Sequence, residues 1–163
     1  MPAPESQIDR DLQATIATHG WAVINVAEEP DCPPFSYTIG LYRTLQHPEL
    51  LVMGLADGVA QELLNVAGRL IRNGQHFAAG AETEDLLEGY STTFRAIPVR
   101  QYRAYLGHAR WLDDGDGFPA LQLVYPDRAG EWPWSAAVSA GFRERQPILA
   151  DTPIPPWARE QAN

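Results

Sequence analysis

The stretch Phe35–Leu55 constrains the fold of this chain more than any other, because it combines two apolar segments with a polar corner between them. In Phe35–Leu41, large apolar residues alternate with small or polar ones, which is the pattern of a strand with one buried face. Leu50–Leu55 is continuously apolar and predicts a strand that is buried on both faces. The corner Tyr42–Glu49 is short, which favours antiparallel pairing of the two strands.

Helical spacing of apolar residues predicts three helices. The first begins near Ser6 and ends at Gly20, because glycine readily adopts the left-handed conformation that closes a helix. The second is the most regular and covers Gly58–Asn73, with Asp57 as its N-cap. The third lies within Gln101–Trp111, where aromatic and aliphatic residues recur with helical spacing.

Apolar and β-branched runs predict the remaining strands, at Trp21–Ala27, Ser91–Val99, Ala120–Tyr125 and, more weakly, His76–Ala81. The acidic stretch Ala81–Tyr90 is interpreted as a loop or a brief helix, and the proline-rich Glu28–Pro34 as a loop. Strands and helices do not alternate strictly. We therefore expect an α+β fold with a mainly antiparallel sheet of five to six strands, open or barrel-like, and two to three flanking helices.

The chain of 163 residues is long enough to bury one hydrophobic core, and 45% of its residues are hydrophobic. We expect residues 1–145 to form a single globular domain. Prolines and polar residues dominate residues 146–163, which we expect to be an extended tail with no core of its own.

Charge and composition argue against several classes of function. The net charge of −9 repels nucleic-acid backbones, whereas it would suit a basic protein partner. The apolar runs are too short to span a membrane, and the polar N-terminus does not resemble a signal peptide, so we expect a cytoplasmic protein. Cys32 is the only cysteine and is expected to be a loop or partly buried thiol rather than a nucleophile. The four histidines are scattered, and no metal site is expected.

His47 and Glu49 are the candidate catalytic residues, because they flank Pro48 in the polar corner. Proline restricts the backbone of the residue before it, which would set the direction of the imidazole, and a carboxylate two residues later would orient the ring for acid/base chemistry. In the alternative interpretation, which we favour, His47 simply forms hydrogen bonds with the backbone, since a lone histidine near a carboxylate is common and catalysis needs a second group.

The candidate ligand-binding residues belong to three further features. One strand has a face of small residues that leaves space for a ligand, a buried glutamine requires a backbone or ligand partner, and a Trp-Pro-Trp motif offers two indoles for stacking or for a lid over the core. These residues are Ser36, Thr38, Gly40, Gln122, Trp132 and Trp134. Tyr37 and Thr38 point to opposite faces of their strand, so only one of them can line a given pocket.

The segments FSYTIGL, HPELLVMGL and ALQLVYPDRAGEWPW resemble a bacterial family that is labelled a domain of unknown function, DUF4262. The resemblance covers most of the stretch from Ile8 to Trp134 and implies no activity. The chain is also similar, more loosely, to split-barrel flavin-binding proteins, and this similarity implies that the small-residue strand contacts a flavin. It departs from them in lacking a basic residue beyond Arg43 to bind the flavin phosphate.

Two functional hypotheses follow from these features. In the first, the chain is a cytosolic pocket protein, and conceivably an enzyme, that binds a small aromatic or cofactor-like molecule. In the second, it is an acidic interaction module, such as a toxin-neutralising (immunity-type) protein or a subunit of an assembly or homo-oligomer. The net charge of −9 and the lack of a recognisable catalytic set motivate the second hypothesis.

Overall fold

The computed structural model describes residues 2–159. Its single sheet has six strands, which are β1 (Ala22–Val26), β2 (Phe35–Ile39), β3 (Glu49–Met53), β4 (Glu82–Leu87), β5 (Tyr90–Ala96) and β6 (Ala120–Val124). Their order is β1-β2-β3-β6-β5-β4, with only the β3–β6 pair parallel. The α+β class and the mainly antiparallel sheet are confirmed. The sheet is open, with β1 and β4 at its edges, so the barrel-like alternative is not realised.

Seven α-helices occur within the described residues, which are α1 (Gln7–His19), α2 (Leu41–Leu45), α3 (Asp57–Arg72), α4 (Tyr102–Tyr105), α5 (Gly107–Leu112), α6 (Ala140–Arg145) and α7 (Pro156–Arg159). The two long helices, α1 and α3, form where they were predicted, and Gly20 closes α1 with a φ angle of 97°. The prediction that Asp57 is the N-cap of α3 is wrong, because Ala56 holds that position without a side-chain hydrogen bond and Asp57 lies in the first turn. The predicted helix at residues 101–111 is interrupted at Leu106, whose φ and ψ angles are not helical. No described helix has the length and apolar character that crossing a bilayer requires.

The prediction of a loop or brief helix at residues 81–90 is wrong, because β4 lies there and pairs with β5. The predicted strand at residues 76–81 is also not formed. β4 is an edge strand with exposed acidic side chains, including Glu82, Glu84 and Asp85. Such a strand lacks an alternating apolar face, and its charges discourage pairing with other chains.

The two faces of the sheet have different partners. On one face, Leu50 and Val52 of β3 belong to a buried cluster with the apolar side of α3. On the other face, Leu51 and Met53 belong to a cluster that includes residues of α4 and α5. Successive strand residues point to opposite faces, so β3 is buried on both, as its continuous apolar sequence predicted.

Residues 146–159, which the sequence predicts to be an extended tail with no core of its own, pack against the domain. Leu149 is fully buried in the core, and its backbone N–H donates to Oε1 of Gln122 at 2.9 Å. Nε2 of Gln122 donates to the carbonyl of Pro147 at 2.8 Å. The segment therefore has no core of its own but completes that of the domain, since the polar groups of β6 hold its backbone. The last residues of the predicted tail, 160–163, lie outside the described residues.

Candidate functional site

Glu49 is completely buried, and its carboxylate accepts hydrogen bonds from neighbouring segments rather than from a ligand. The Thr38 hydroxyl donates to it at 2.8 Å. Three successive backbone N–H groups, those of Gly40, Leu41 and Tyr42, donate at 3.0, 3.1 and 3.3 Å. Glu49 therefore joins β3 to the end of β2 and the start of α2, and this arrangement identifies its carboxyl group as structural.

Burial raises the pKa of Glu49 to about 8, against the lowering effect of the hydrogen bonds from Thr38 and the backbone. The carboxylate makes no hydrogen bond to His47, its predicted partner. Glu49 therefore does not orient the ring of His47, as the sequence had suggested.

His47 is also buried, and both of its ring nitrogens are engaged by backbone groups. Nε2 accepts from the N–H of Phe77 at 3.0 Å, so the proton of the neutral ring lies on Nδ1, which donates to the carbonyl of Pro48 at 2.8 Å. Burial lowers the pKa of His47, which favours this neutral form. The geometry corresponds to the alternative interpretation from the sequence, in which His47 hydrogen-bonds the backbone.

We expect the stabilising contribution of His47 to decrease as the pH falls. Because its folded-state pKa lies below the ordinary histidine value of 6.5, the unfolded chain takes up the proton more readily. The contribution is therefore present above pH 6.5 and is lost as the pH falls through the folded-state pKa. The measurement is the difference in the free energy of unfolding between the wild type and His47→Gln, by urea denaturation on both sides of this pH.

The pH dependence of Glu49 must be subtracted, because its raised pKa makes the fold more stable as the pH falls, over a range that overlaps that of His47. Glu49 is present in both proteins, so its effect cancels in the difference between wild type and variant. The matched control is His19→Gln, since His19 is exposed at the end of α1. A stability difference for His47→Gln that stays constant or grows as the pH falls would contradict the assignment.

The small-residue face of β2 is occupied by the protein itself. The Ser36 hydroxyl donates to Oδ1 of Asn25 at 2.7 Å, and Thr38 binds Glu49. A Cβ atom at Gly40 would lie 2.9 Å from the side chain of Ile16, and its φ angle of 95° also favours glycine. These contacts leave no space at this face for a flavin, so the strand does not fit the role that the split-barrel similarity implied.

Trp132 and Trp134 stack on each other, with ring centroids 5.6 Å apart. The guanidinium of Arg95 lies 4.2 Å from the centroid of the Trp134 ring, and Trp134 is 45% exposed. The two indoles thus form a surface stack with an arginine from β5. Ser36 and Thr38 belong to β2, whereas Trp134 contacts β5, and the strands β3 and β6 lie between these two in the sheet. The sheet thus separates the two groups of predicted ligand-binding residues.

A cavity of about 490 Å³ lies on the opposite, apolar face of β2. It is partly open to solvent and is bounded by the loop between β1 and β2, by β2 itself, by the α4–α5 segment and by α7. Four rings line it and are called the aromatic wall here: Phe35, Tyr37, Tyr105 and Trp157. The volume lies within the range of about 300–1,000 Å³ that is typical of small-molecule sites.

Mutual contacts hold the aromatic wall in place. The rings of Phe35 and Tyr105 meet edge to face with centroids 5.2 Å apart, and those of Tyr105 and Trp157 are 5.9 Å apart. Tyr37 stacks on Phe35 at 6.3 Å. Such contacts restrict the rotamers of the rings before any ligand binds, which lowers the entropic cost of binding.

Two polar groups of the cavity are hydrogen-bond donors at neutral pH. The Tyr37 hydroxyl accepts from the N–H of His108 at 3.1 Å, and burial raises its pKa to about 12, so it keeps a proton to donate. Burial and the nearby Glu29 raise the pKa of the Cys32 thiol, which therefore also stays protonated. The prediction that Cys32 is a buried loop thiol is confirmed.

This cavity was not predicted from the sequence, although the alternating residues of β2, which form part of its wall, were recognised. The alternation in Phe35–Leu41 identified both faces of β2, but the small polar face was chosen as the ligand-binding one. The apolar face, with Phe35 and Tyr37, was assigned to the core. Trp157 gave no signal, because it belongs to a segment that the sequence indicated to be a free tail.

The described residues contain no group of three or more His, Cys, Asp or Glu side chains arranged to hold a metal ion. Comparison with known proteins gives one match: residues 15–139 correspond to a family described as "Domain of unknown function (DUF4262)". The match includes Cys32, Tyr37 and Tyr105 but ends before Trp157. Neither a curated protein nor a solved structure matches the chain.

Proposed function

The chain belongs to the DUF4262 family, and we propose that its role is to bind a small, flat, largely apolar molecule in the cavity behind β2. The observation that carries this proposal is the aromatic wall around a space of about 490 Å³. Rings that are buried and fixed by one another offer large contact areas to a planar ligand at little conformational cost. The ligand class expected from the sequence is therefore retained, but its site moves to the other face of β2.

The polar groups of the cavity favour binding over nucleophilic chemistry. Cys32 and Tyr37 are both protonated at neutral pH, so neither offers a thiolate or phenolate nucleophile. The Cys32 thiol donates to the carbonyl of Pro33 at 3.3 Å, which leaves the Tyr37 hydroxyl as the donor for a ligand. The proposal therefore includes a hydrogen-bond acceptor on the ligand near the Tyr37 hydroxyl. It also includes a cytoplasmic location, where a lone thiol such as Cys32 stays reduced.

Filling the cavity is expected to weaken binding at least tenfold, or by about 1.4 kcal/mol. Gly107 lines the cavity, and a Cβ atom built there meets no other atom within 4 Å. Gly107 is exposed beside the cavity, so the variant Gly107→Leu is expected to extend a side chain over the cavity opening. The measurement is the affinity for 1-naphthaleneacetamide, a neutral aromatic probe, by isothermal titration calorimetry.

The matched control is Gly117→Leu, because Gly117 is exposed, has equally open surroundings and lies outside the cavity lining. This variant is expected to bind the probe like the wild type. Equal affinities for wild type and Gly107→Leu would overturn the proposal. So would a wild type that binds none of naphthalene, indole and 1-naphthaleneacetamide at about 1 mM.

A second candidate function is an interaction module for a basic partner. The observation that favours it is the row of exposed carboxylates on and beside the edge strand β4, at Glu82, Glu84, Asp85 and Glu88. The same row also protects a free sheet edge, so it does not require a partner. Capture from an extract of the native host is the test, with Glu84→Lys and Asp85→Lys combined as the control. A wild type that retains no more protein than this variant would argue against the candidate.

A further inference from the structure

The arginines of this chain are unevenly distributed. The sequence contains no lysine, so all 12 of its basic residues are arginines. Four of them line a single cleft of about 280 Å³ between α7 and the region that contains α4 and α5: Arg100, Arg103, Arg110 and Arg159. We call it the arginine cleft. Among the described residues of its lining, Asp116 is the one acidic side chain beside these four arginines, in a chain of net charge −9.

Arg100 and Arg159 give the arginine cleft positive charge that no carboxylate among the described residues neutralises. The guanidinium of Arg100 donates to two backbone carbonyls, those of Thr152 at 2.6 Å and Ala150 at 3.0 Å, which do not neutralise it. Arg110 forms an ion pair with Asp116 at 2.5 Å. Arg159 is exposed at the end of α7. Guanidinium groups bind carboxylates and phosphates through paired N–H donors, so such a cluster suits an anionic oxygen group.

The arginine cleft adjoins the aromatic cavity. Arg103 and Ala104 line both spaces, and the neighbouring residues Trp157 and Ala158 of α7 line the cavity and the cleft respectively. A molecule whose ring contacts the aromatic wall therefore has the cleft within reach of a short substituent. On the loop between β1 and β2 the cavity is lined by carboxylates, those of Glu29 and Asp31, which disfavour an anion at that end.

We propose that the ligand is an aromatic anion, whose ring occupies the cavity and whose carboxylate or phosphate lies in the arginine cleft. The inference rests on the proposed function, because it takes the aromatic wall as the site of the ring. It adds the chemical class of the ligand and the direction in which the ligand lies. Its electrostatic part is testable separately from the cavity itself.

The test compares two probes of the same shape, 1-naphthaleneacetate and 1-naphthaleneacetamide, on the full chain. The wild type is expected to bind the anion at least tenfold more tightly than the amide. In the double variant Arg110→Gln/Arg159→Gln this preference is expected to fall to less than threefold, with the affinity for the amide unchanged. Arg100 is left intact because it holds the backbone of residues 150–152.

The control is Arg10→Gln/Arg128→Gln, which removes the same charge from two exposed positions outside the cleft lining. It is expected to keep the preference for the anion. A third probe, 1-naphthyl phosphate, compared with 1-naphthaleneacetate, decides whether the cleft selects phosphate or carboxylate. Titrations at two ionic strengths add a check, since the anion preference should weaken with added salt.

The outcomes separate this inference from the function on which it rests. A wild type that binds the amide but shows no preference for the anion overturns the inference and leaves the cavity proposal standing. A preference that persists in the Arg110→Gln/Arg159→Gln variant, or falls equally in the control, also overturns it. A wild type that binds neither probe overturns the proposed function and this inference together.

Discussion

Glu49→Ala is expected to lower the free energy of unfolding by at least about 3 kcal/mol. The substitution leaves the Thr38 hydroxyl and three backbone N–H groups without their acceptor, all at the junction of β2 and α2. Each buried donor that loses its partner costs about 1–3 kcal/mol, and the removed side chain also leaves a cavity. Urea denaturation followed by far-ultraviolet circular dichroism measures the loss.

Glu49→Gln is the companion variant, because it keeps one carbonyl oxygen as an acceptor and nearly the same volume. The NH2 group of the glutamine would face backbone N–H groups, and two donors cannot form a hydrogen bond with each other. We therefore expect a loss of stability that is measurable but smaller than that of Glu49→Ala. It also keeps the test decisive if Glu49→Ala does not fold. A stability of Glu49→Ala within 1 kcal/mol of the wild type would show that the carboxylate is not the structural centre described here.

Leu149→Ala is expected to cost about 2–5 kcal/mol, the range for a leucine truncated in a packed core. Leu149 has no exposed surface and lies in the same buried cluster as Tyr37 and Leu51. The control is Ile8→Ala, since Ile8 is 65% exposed on α1. Thermal and urea unfolding of both variants provide the comparison. Equal stabilities for the two variants would mean that residues 146–159 do not contribute to the core.

The central part of the fold was predictable because its signals are local. The alternation in Phe35–Leu41, the apolar run that forms β3 and the regular spacing of α3 each depend on neighbouring residues. The two ends of α1 were also predictable. Ser6 caps the N-terminus of the helix with its side chain, and Gly20 adopts the left-handed conformation that closes the helix. These elements correspond to the centre of the sheet and its two long helices.

The remaining elements depend on contacts that a sequence does not reveal. β4 carries acidic residues because it is an edge strand, and nothing in its own composition indicates β5 as its partner. The segment after Gln146 is rich in proline, and the hydrogen bonds of Gln122, Gln101 and Arg100 with its backbone show why it is packed. Its position brings Trp157 to the cavity, so the site depends on an element that local patterns could not place.

Residue types alone also did not reveal which side chains form the candidate site. His47 and Glu49 have the residue types and spacing of an acid/base pair, but buried backbone groups engage both side chains. Polar residues that follow an apolar strand serve as often to satisfy the backbone as to bind a ligand. Tyr37, which lines the cavity, looks like a core residue in the sequence, since the walls of a ligand site are mostly apolar.

A crystal structure of the wild type with 1-naphthaleneacetamide tests the central claim most directly. The account predicts electron density for the naphthalene ring in the cavity behind β2, in contact with Tyr37 and Trp157 of the aromatic wall. The rings of the wall should move little, because they are already held by one another. A naphthalene ring bound instead at the Trp132–Trp134 stack or beside His47, with an empty cavity, would contradict the account.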